Sequence, residues 1–564
     1  MGLSMNRRRR GTVGGRVALA TVLALMAAIL GLGSSSATAA DSAPLATQVG
    51  PTVLDIDDDI PPVRNLRRIS PANTEYIGNV ALIGWERPAD QWAVTGYRIL
   101  YSADFRPQKW MVLETDKTTA LLTNLWPARD YTVIVQATSP FGGWGTPAEM
   151  ALFTAEKSVY RVDAPWVVSL GDSFISGEGG RWAGNANMLP GLRNETDTGE
   201  RAYYDYEEGE TIEECHRSLS AMIHIQIARS LNLACSGAIT RSEVASGFPD
   251  FYNDYWKPGI DFVNNPFDLG VHGPAIGQAQ MLENFARDNR VKMVVLSIGG
   301  NNFHFSDIVK SCILRYVRGN EEGCRGDENL RQWVDSEAYA ATVLNDVKIA
   351  ILNIRQAMVN AGYEDSEWTL VQTLYPRPIA PSSEMRYTED DPGFGSNRQT
   401  VGGCGFYDAD ADWAIGTVLP LINRTIMSAA LAAKVEHESL RIVHMDNTDA
   451  FKGHELCSKY SYRVNGEKAV DMPGVKSWRS KNAIVKSEWM KEVDLFNTGA
   501  SIANESFHPN YWGQLALRNC LRQLWNGGNI VSGGKCAPLG GQLKKMREPR
   551  MRFTRDPGLS LLNS

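Results

Sequence analysis

The chain has no cysteine before residue 215, and none of its eight cysteines forms a C-x2-C pair. That spacing excludes the tight-pair zinc sites of small metal-binding modules. Basic excess is also missing, since the formal net charge is −7. The first 39 residues carry five arginines and no acid, so their removal takes the remainder to −12. An acidic body of this kind argues against a nucleic-acid binder, which needs a basic face to displace counterions. Long apolar runs are lacking beyond the N-terminus, and no later segment reads as apolar enough to cross a bilayer. What is present fits a soluble globular protein of 564 residues, with 43% apolar and 21% charged residues and room for two or three domains.

Residues 1–39 read as an export signal. Arg7 to Arg10 and Arg16 form a positive region, Val17 to Leu32 is apolar, and Ala37-Thr38-Ala39 is a small-x-small cleavage site. The mature protein is therefore expected to be secreted. An even cysteine count in an exported chain favours disulfides. Sequence neighbours pair most simply as Cys215–Cys235, Cys312–Cys324, Cys404–Cys457 and Cys520–Cys536.

Residues 40–60, with Pro51 and an acidic patch at Asp55 and Asp57 to Asp59, read as a solvated linker. Residues 61–155 read as all-β. Short β-branched and aromatic runs at Val80–Ile83, Tyr97–Tyr101, Trp110–Leu113 and Tyr131–Val135 alternate with turn signals. Trp85, Tyr97 and the run Leu125-x-Pro127-x-x-x-Tyr131 make this segment resemble a fibronectin type III domain. The resemblance implies a spacer or a weak binding module. Trp92, Trp110, Trp126 and Trp144 are candidates for stacking on sugars or, more simply, for filling and capping the sandwich.

From residue 163 strands and helices alternate, which predicts a parallel sheet covered by helices. Strands are expected at Trp166–Leu170, Val291–Ile298, Trp368–Leu374 and Leu440–Met445. Helices are expected at Ser218–Leu231, Ala279–Phe285, Tyr339–Met358, Trp413–Ala433 and Tyr511–Trp525. Sites in such sheets collect at the carboxyl ends of strands. Four blocks lie at or near such ends or helix starts: Gly171-Asp172-Ser173, the small-residue turn Ala234 to Ala238 around Gly237, Gly299-Gly300-Asn301, and Ser506-Phe507-His508-Pro509. The glycine-flanked serine is not the G-x-S-x-G elbow of the α/β-hydrolases.

Together, in this order, the blocks resemble the SGNH hydrolase superfamily of GDSL-type lipases and esterases, over roughly residues 163–540. Ser173-x-x-x-Gly177-Glu178-Gly179, Cys215-His216-Arg217-Ser218 and Gly453-His454-Glu455-Leu456-Cys457 resemble its secreted actinobacterial branch. The resemblance implies a three-layer α/β/α, flavodoxin-like domain with a parallel sheet. It implies Ser173 as nucleophile and His508 as general base. Its oxyanion hole would be the Ser173 N–H, the Gly237 N–H and the Asn301 amide, with no metal and no cofactor. The family often has Asp three residues before the histidine; here Glu505 stands there, so either its carboxylate or the Ser506 carbonyl orients His508. Asp172 is expected to brace the nucleophile turn, and His216 and His454 to be structural hydrogen-bonding groups.

The expected function is a secreted, monomeric serine ester hydrolase acting on a lipid or small ester. The alternatives are a carbohydrate O-acyl esterase held near cell-wall polysaccharide by the sandwich, and a non-catalytic extracellular binding protein. Activity is expected to rise with pH through a histidine-like pKa of roughly 6–7. Residues 541–564, with Lys544, Lys545, Arg547, Arg550, Arg552 and Arg555, read as a basic solvated tail.

Overall fold

The computed structural model describes residues 56–57, 60–68, 81–89, 94–103, 111–122, 130–140, 143–153, 165–184, 200–205, 209–246, 254–265, 271, 275–390, 392–393, 395–462, 481–493, 505–543 and 548–562. The export signal therefore lies outside the described residues, as do most of the linker, Trp92, Trp110 and Trp126, and the tail residues Lys544, Lys545 and Arg547.

The N-terminal segment forms two antiparallel sheets that share one apolar core. Three strands, Arg64–Arg68, Ala81–Glu86 and Thr119–Leu122, form the first sheet. In the second, Met111–Thr115, Gly96–Ala103, Asp130–Thr138 and Ala148–Phe153 lie side by side in that order. Alternate residues point inward, so Ile83 and Trp85 meet Tyr97, Ile99, Tyr101, Tyr131, Val133 and Val135. Trp85 packs edge-on against Tyr97 with ring centroids 5.2 Å apart. Trp144 is covered by the Arg98 guanidinium at 4.5 Å, a cation–π contact that occupies one face of the ring.

The linker expectation for 40–60 needs correction at its C-terminal end. Ile56–Asp57 pairs in parallel with Trp144–Gly145, and Ile60 is buried in the sandwich core. An apolar side chain and free backbone groups found partners there, so these residues belong to the β-structure.

Among the described residues the larger sheet has eight strands. They are labelled β1 (Trp166–Gly171), β2 (Arg229–Asn232), β3 (Val291–Ser297), β4 (Thr369–Thr373), β5 (Ile442–Asp446), β6 (Gly534–Leu543), β7 (Glu548–Arg555) and β8 (Ser560–Leu561). The spatial order is β2-β1-β3-β4-β5-β6-β7, with β8 paired to β5. Neighbours are parallel from β2 to β6, while β6–β7 and β5–β8 are antiparallel. β1 and β3 read as nearly continuous apolar runs because nearly all of their residues are buried, and β4 is buried throughout although Thr369, Gln372 and Thr373 are polar. Long helices α1 (Gln278–Ala286), α2 (Phe305–Val317), α3 (Glu337–Asn360), α4 (Leu419–Glu436) and α5 (Tyr511–Trp525) contribute apolar residues to the core around the sheet. All four disulfides form with the pairing expected from sequence neighbours.

Three further expectations fail. The helix over 218–231 is absent: its carbonyls are taken by arginines of α5. Arg518 donates to the carbonyls of Leu219 and Ala221, and Arg522 to that of Ile225. A helix would have used those carbonyls internally, so tertiary partners overrode the apolar spacing. The basic tail is likewise no tail, and the 540 boundary moves. β7 and β8 complete the sheet, Met551 is buried, and the Glu548 carboxylate receives both Arg522 terminal nitrogens at 2.7 and 2.9 Å. The charges of Arg550, Arg552 and Arg555 concealed a strand with alternating burial. Finally, the helix spanning Asp408–Glu436 is long and apolar enough to cross a bilayer, with mean hydropathy 1.3. Its buried face, including Ile422, Ile426 and Ala430, packs into the core of the larger sheet.

Candidate active site

The chain enters the site at the end of β1. Gly171 has a φ of +135°, and a Cβ there would lie 1.9 Å from the Ser297 carbonyl oxygen of β3, so only glycine fits. Asp172 then caps a helical turn, Ser173–Ser176, and accepts from the Phe174 N–H at 3.1 Å. Its second carboxylate oxygen accepts from the Tyr375 hydroxyl, and that hydroxyl in turn accepts the Gly300 N–H at 3.0 Å. Asp172 therefore ties the Ser173 turn to the residues after β3 and β4. Burial pushes its pKa up to about 7, against the opposing pull of these hydrogen bonds.

Ser173 begins the turn and is 4% exposed. Its Oγ lies 2.7 Å from His508 Nε2. His508 reaches it from the segment before α5. That segment is held by the Phe507 N–H to the Lys491 carbonyl at 2.9 Å and the Lys491 N–H to the His508 carbonyl at 2.8 Å. Asn510 then caps α5 by accepting from the N–H groups of Trp512 and Gly513. Phe507 has a left-handed φ of +64°, which turns the chain so that the imidazole meets the carbonyl two residues back. His508 Nδ1 lies 3.0 Å from the Ser506 oxygen. A carbonyl only accepts, so Nδ1 carries the proton and Nε2 is left to accept from Ser173. Burial pulls the His508 pKa below its ordinary value, while the Glu178 carboxylate and the Ser506 carbonyl pull it up.

The structure does not bring Glu505 to the imidazole Nδ1. The Glu505 carboxylate is fully buried elsewhere. One oxygen accepts from Trp182 Nε1, and the other lies 3.4 Å from Arg181 Nε. The extra methylene carries the carboxylate to those donors, so of the two partners considered for the ring it is the Ser506 carbonyl that faces it.

Gly237 and Asn301 follow β2 and β3. Gly237 has a φ of +73° and lies in the turn closed by the Ala238 N–H to the Cys235 carbonyl at 3.1 Å. Asn301 donates from its side-chain amide to the Ala238 carbonyl at 2.9 Å, which leaves its second N–H for another acceptor. The Gly237 turn and Asn301 are thus linked directly, and Asn301 and Ser173 line one cleft. The blocks after β1, β2 and β3 belong to three neighbouring parallel strands. Chain order reverses between β1 and β3, where a crevice opens at the strand ends.

The cleft running from Ser173 and Asn301 is walled by Phe174, Phe305, Ile308, Val418, Ile422 and Phe507. Its polar lining residues are Asp172, Ser173, Asn301 and Tyr375. Two groups behind the site escaped notice as functional residues in the sequence. Tyr375, which follows β4, carried no motif. Lys257 likewise carried no motif. Glu178 and His216 form a buried pair at 2.8 Å; burial pulls the His216 pKa down, but the charge and hydrogen bond of Glu178 together with the charges of Glu210 and Glu214 raise it to about 9. Asp408, Asp410 and Asp412 alternate in sequence but have separate partners: Asp408 pairs with Arg398, Asp410 accepts from the N–H groups of Cys324 and Arg325, and Asp412 accepts from Ser382. His304 stacks on Trp333 and His454 on Trp489.

No family model matches the chain, and no curated protein matches it. Solved structures match only in part. A structure titled "Myokine structure" is 18% identical over 17% of this chain and 96% of its own, with a TM-score of 0.15. A two-domain fibronectin type III segment from chicken tenascin is 23% identical over 17% of this chain and 50% of its own, with a TM-score of 0.15. The FN1–FN3 domains of chicken CNTN1 are 18% identical over 16% of this chain and 31% of their own, with a TM-score of 0.14. Scores of this size leave fold and function unassigned.

Proposed function

We propose that this chain is a secreted serine ester hydrolase of the SGNH type, cleaving carboxylic esters through an acyl-serine intermediate. The observation that carries the reading is the 2.7 Å contact between Ser173 Oγ and His508 Nε2, with the ring's other nitrogen held by the Ser506 carbonyl. The parallel strands run in the order 2-1-3-4-5-6, whose first five follow a flavodoxin-like order, in agreement with the resemblance of the four sequence blocks. Four disulfides agree with export.

In the proposed mechanism neutral His508 takes the Ser173 proton as Oγ attacks the ester carbonyl carbon. The tetrahedral oxyanion is received by the Ser173 N–H, the Gly237 N–H and the second N–H of the Asn301 amide. Imidazolium then returns the proton to the leaving alkoxide, and the alcohol departs. Water attacks the acyl-serine with the same base, and the acid is released. Asp172 holds the turn that aims Ser173, and the Ser506 carbonyl stabilises the imidazolium through Nδ1–H.

The apolar lining of the cleft favours an apolar acyl group, and so a lipid-like ester over an acetylated polysaccharide. A fluorophosphonate probe tests the reading. Labelling of Ser173, lost in Ser173→Ala together with nitrophenyl ester hydrolysis, is the expected result. An unlabelled Ser173 with no turnover of acetyl, octanoyl or triglyceride esters would leave the non-catalytic binding alternative in its place.

A further inference from the structure

Lys257 ends the strand Asp254–Lys257, which pairs antiparallel with Glu243–Ser246. It is 7% exposed, and a buried ammonium is expensive unless its protons are placed. Its Nζ donates to the Ser236 carbonyl at 2.6 Å and to the Glu214 carbonyl at 2.9 Å, and it lies 4.8 Å from the Tyr255 ring centroid. A Cβ added to Gly237 would stand 3.6 Å from the same nitrogen.

The Ser236 carbonyl and the Gly237 N–H are the two ends of one planar peptide unit. The turn around that unit is pinned on every side. The Ser236 N–H donates to the Cys215 carbonyl at 3.0 Å, the Ser236 hydroxyl donates to Glu178, and Cys215 is bonded to Cys235. The Ala238 carbonyl accepts from Asn301. The Gly237 N–H donates to no group among the described residues.

We propose that Lys257 is a positioning residue of the oxyanion hole: its ammonium, bonded to the Ser236 carbonyl, fixes and polarises the 236–237 peptide so that the Gly237 N–H donates more strongly to a developing negative oxygen. This rests on the hydrolase reading of the site. The physics is hydrogen-bond cooperativity across a peptide, driven by a charge-assisted bond at its far end in a dry environment. The positive charge also lies behind the donor, on the side that favours an anion in front of it. Burial lowers the Lys257 pKa, while the carboxylates of Glu178, Glu214, Glu210 and Glu243 raise it.

Lys257→Met in the full oxidised chain removes the charge and keeps the stem. The expected result is a kcat lower by about 10- to 100-fold, less than the loss of a whole donor, with KM for an octanoyl ester within about twofold. A trifluoromethyl ketone analogue of that ester, which forms an oxyanion on Ser173, should weaken by the same factor. Lys257→Gln, which keeps an N–H for the Ser236 carbonyl but no charge, should fall between Lys257→Met and wild type. Unchanged kcat in Lys257→Met, or a raised KM with unchanged analogue affinity, overturns the proposal. If Lys257→Met does not fold, judged by near-UV circular dichroism, Lys257→Gln carries the same comparison. Misfolding of both makes Lys257 a structural residue and also overturns it. Wild type that is inert to esters and unlabelled at Ser173 takes down the hydrolase reading as well; an active wild type with an equally active Lys257→Met takes down only this inference.

Discussion

His508 Nε2 lies 2.7 Å from Ser173 Oγ although 335 positions of sequence separate the two residues. One stands after the first strand of the large sheet and the other before its last long helix, so only the folded sheet brings them together. If the pair performs acyl transfer, Ser173→Ala and His508→Ala should each lower kcat/KM by about 10⁴–10⁶-fold, and the double variant should be little worse than either. Steady-state kinetics on a nitrophenyl octanoate checks this, and additive losses would show that the two act independently.

Glu505→Gln separates orientation from stability. Because the Ser506 carbonyl faces Nδ1, kcat/KM should fall less than about tenfold, against about 10⁴ where a carboxylate orients the ring. Stability should suffer, since buried Arg181 loses its carboxylate, a change of about 3–5 kcal/mol in comparable buried pairs. Kinetics and denaturant melts on the same preparation read both effects. A large kinetic loss with an unchanged melt would return the orienting role to Glu505.

The pH dependence has a definite sign. Burial pulls the His508 pKa below 6.5, and only the neutral ring accepts the Ser173 proton. Activity should therefore be high above that pKa and fall as pH drops through it, with the acid midpoint of kcat/KM below 6.5. The same shift makes the His508 contribution to stability fully present above 6.5, the unfolded value, and lost as pH falls toward the folded pKa. A kcat/KM profile from pH 4 to 9 checks the first statement; a midpoint above 7 contradicts it.

On the hydrolase reading, the apolar cleft beside Ser173 receives the acyl chain and can be shortened. Val418 is 4% exposed and lines the cleft. Val418→Phe should cut kcat/KM for an octanoyl ester by about 10- to 100-fold, the range that one to three kcal/mol of pocket contact produces, and change an acetyl ester little. Equal losses on both esters would place the acyl chain elsewhere.

Much of the site was legible before folding was considered. Gly171, Ser173, Gly237, Asn301 and His508 sit in short blocks of unusual composition at element ends, and buried strands such as Val291–Ser297 announce themselves as apolar runs. The disulfide pairing followed the same logic, because loop closure favours neighbours. Other features were hidden for a common reason. Arg518 and Arg522 claim carbonyls that the 218–231 spacing would have spent on a helix, and the same Arg522 seats Glu548 so that a basic segment becomes a strand.

Local sequence sets which residues are able to do chemistry, since residue type and backbone freedom are local properties. It did not set which partner each one meets. Whether His508 turns to Glu505 or to the Ser506 carbonyl, and whether Lys257 sits behind the Gly237 peptide, depends on hydrogen bonds between distant segments. Those bonds are made only once the sheet has closed and the buried polar groups must be satisfied.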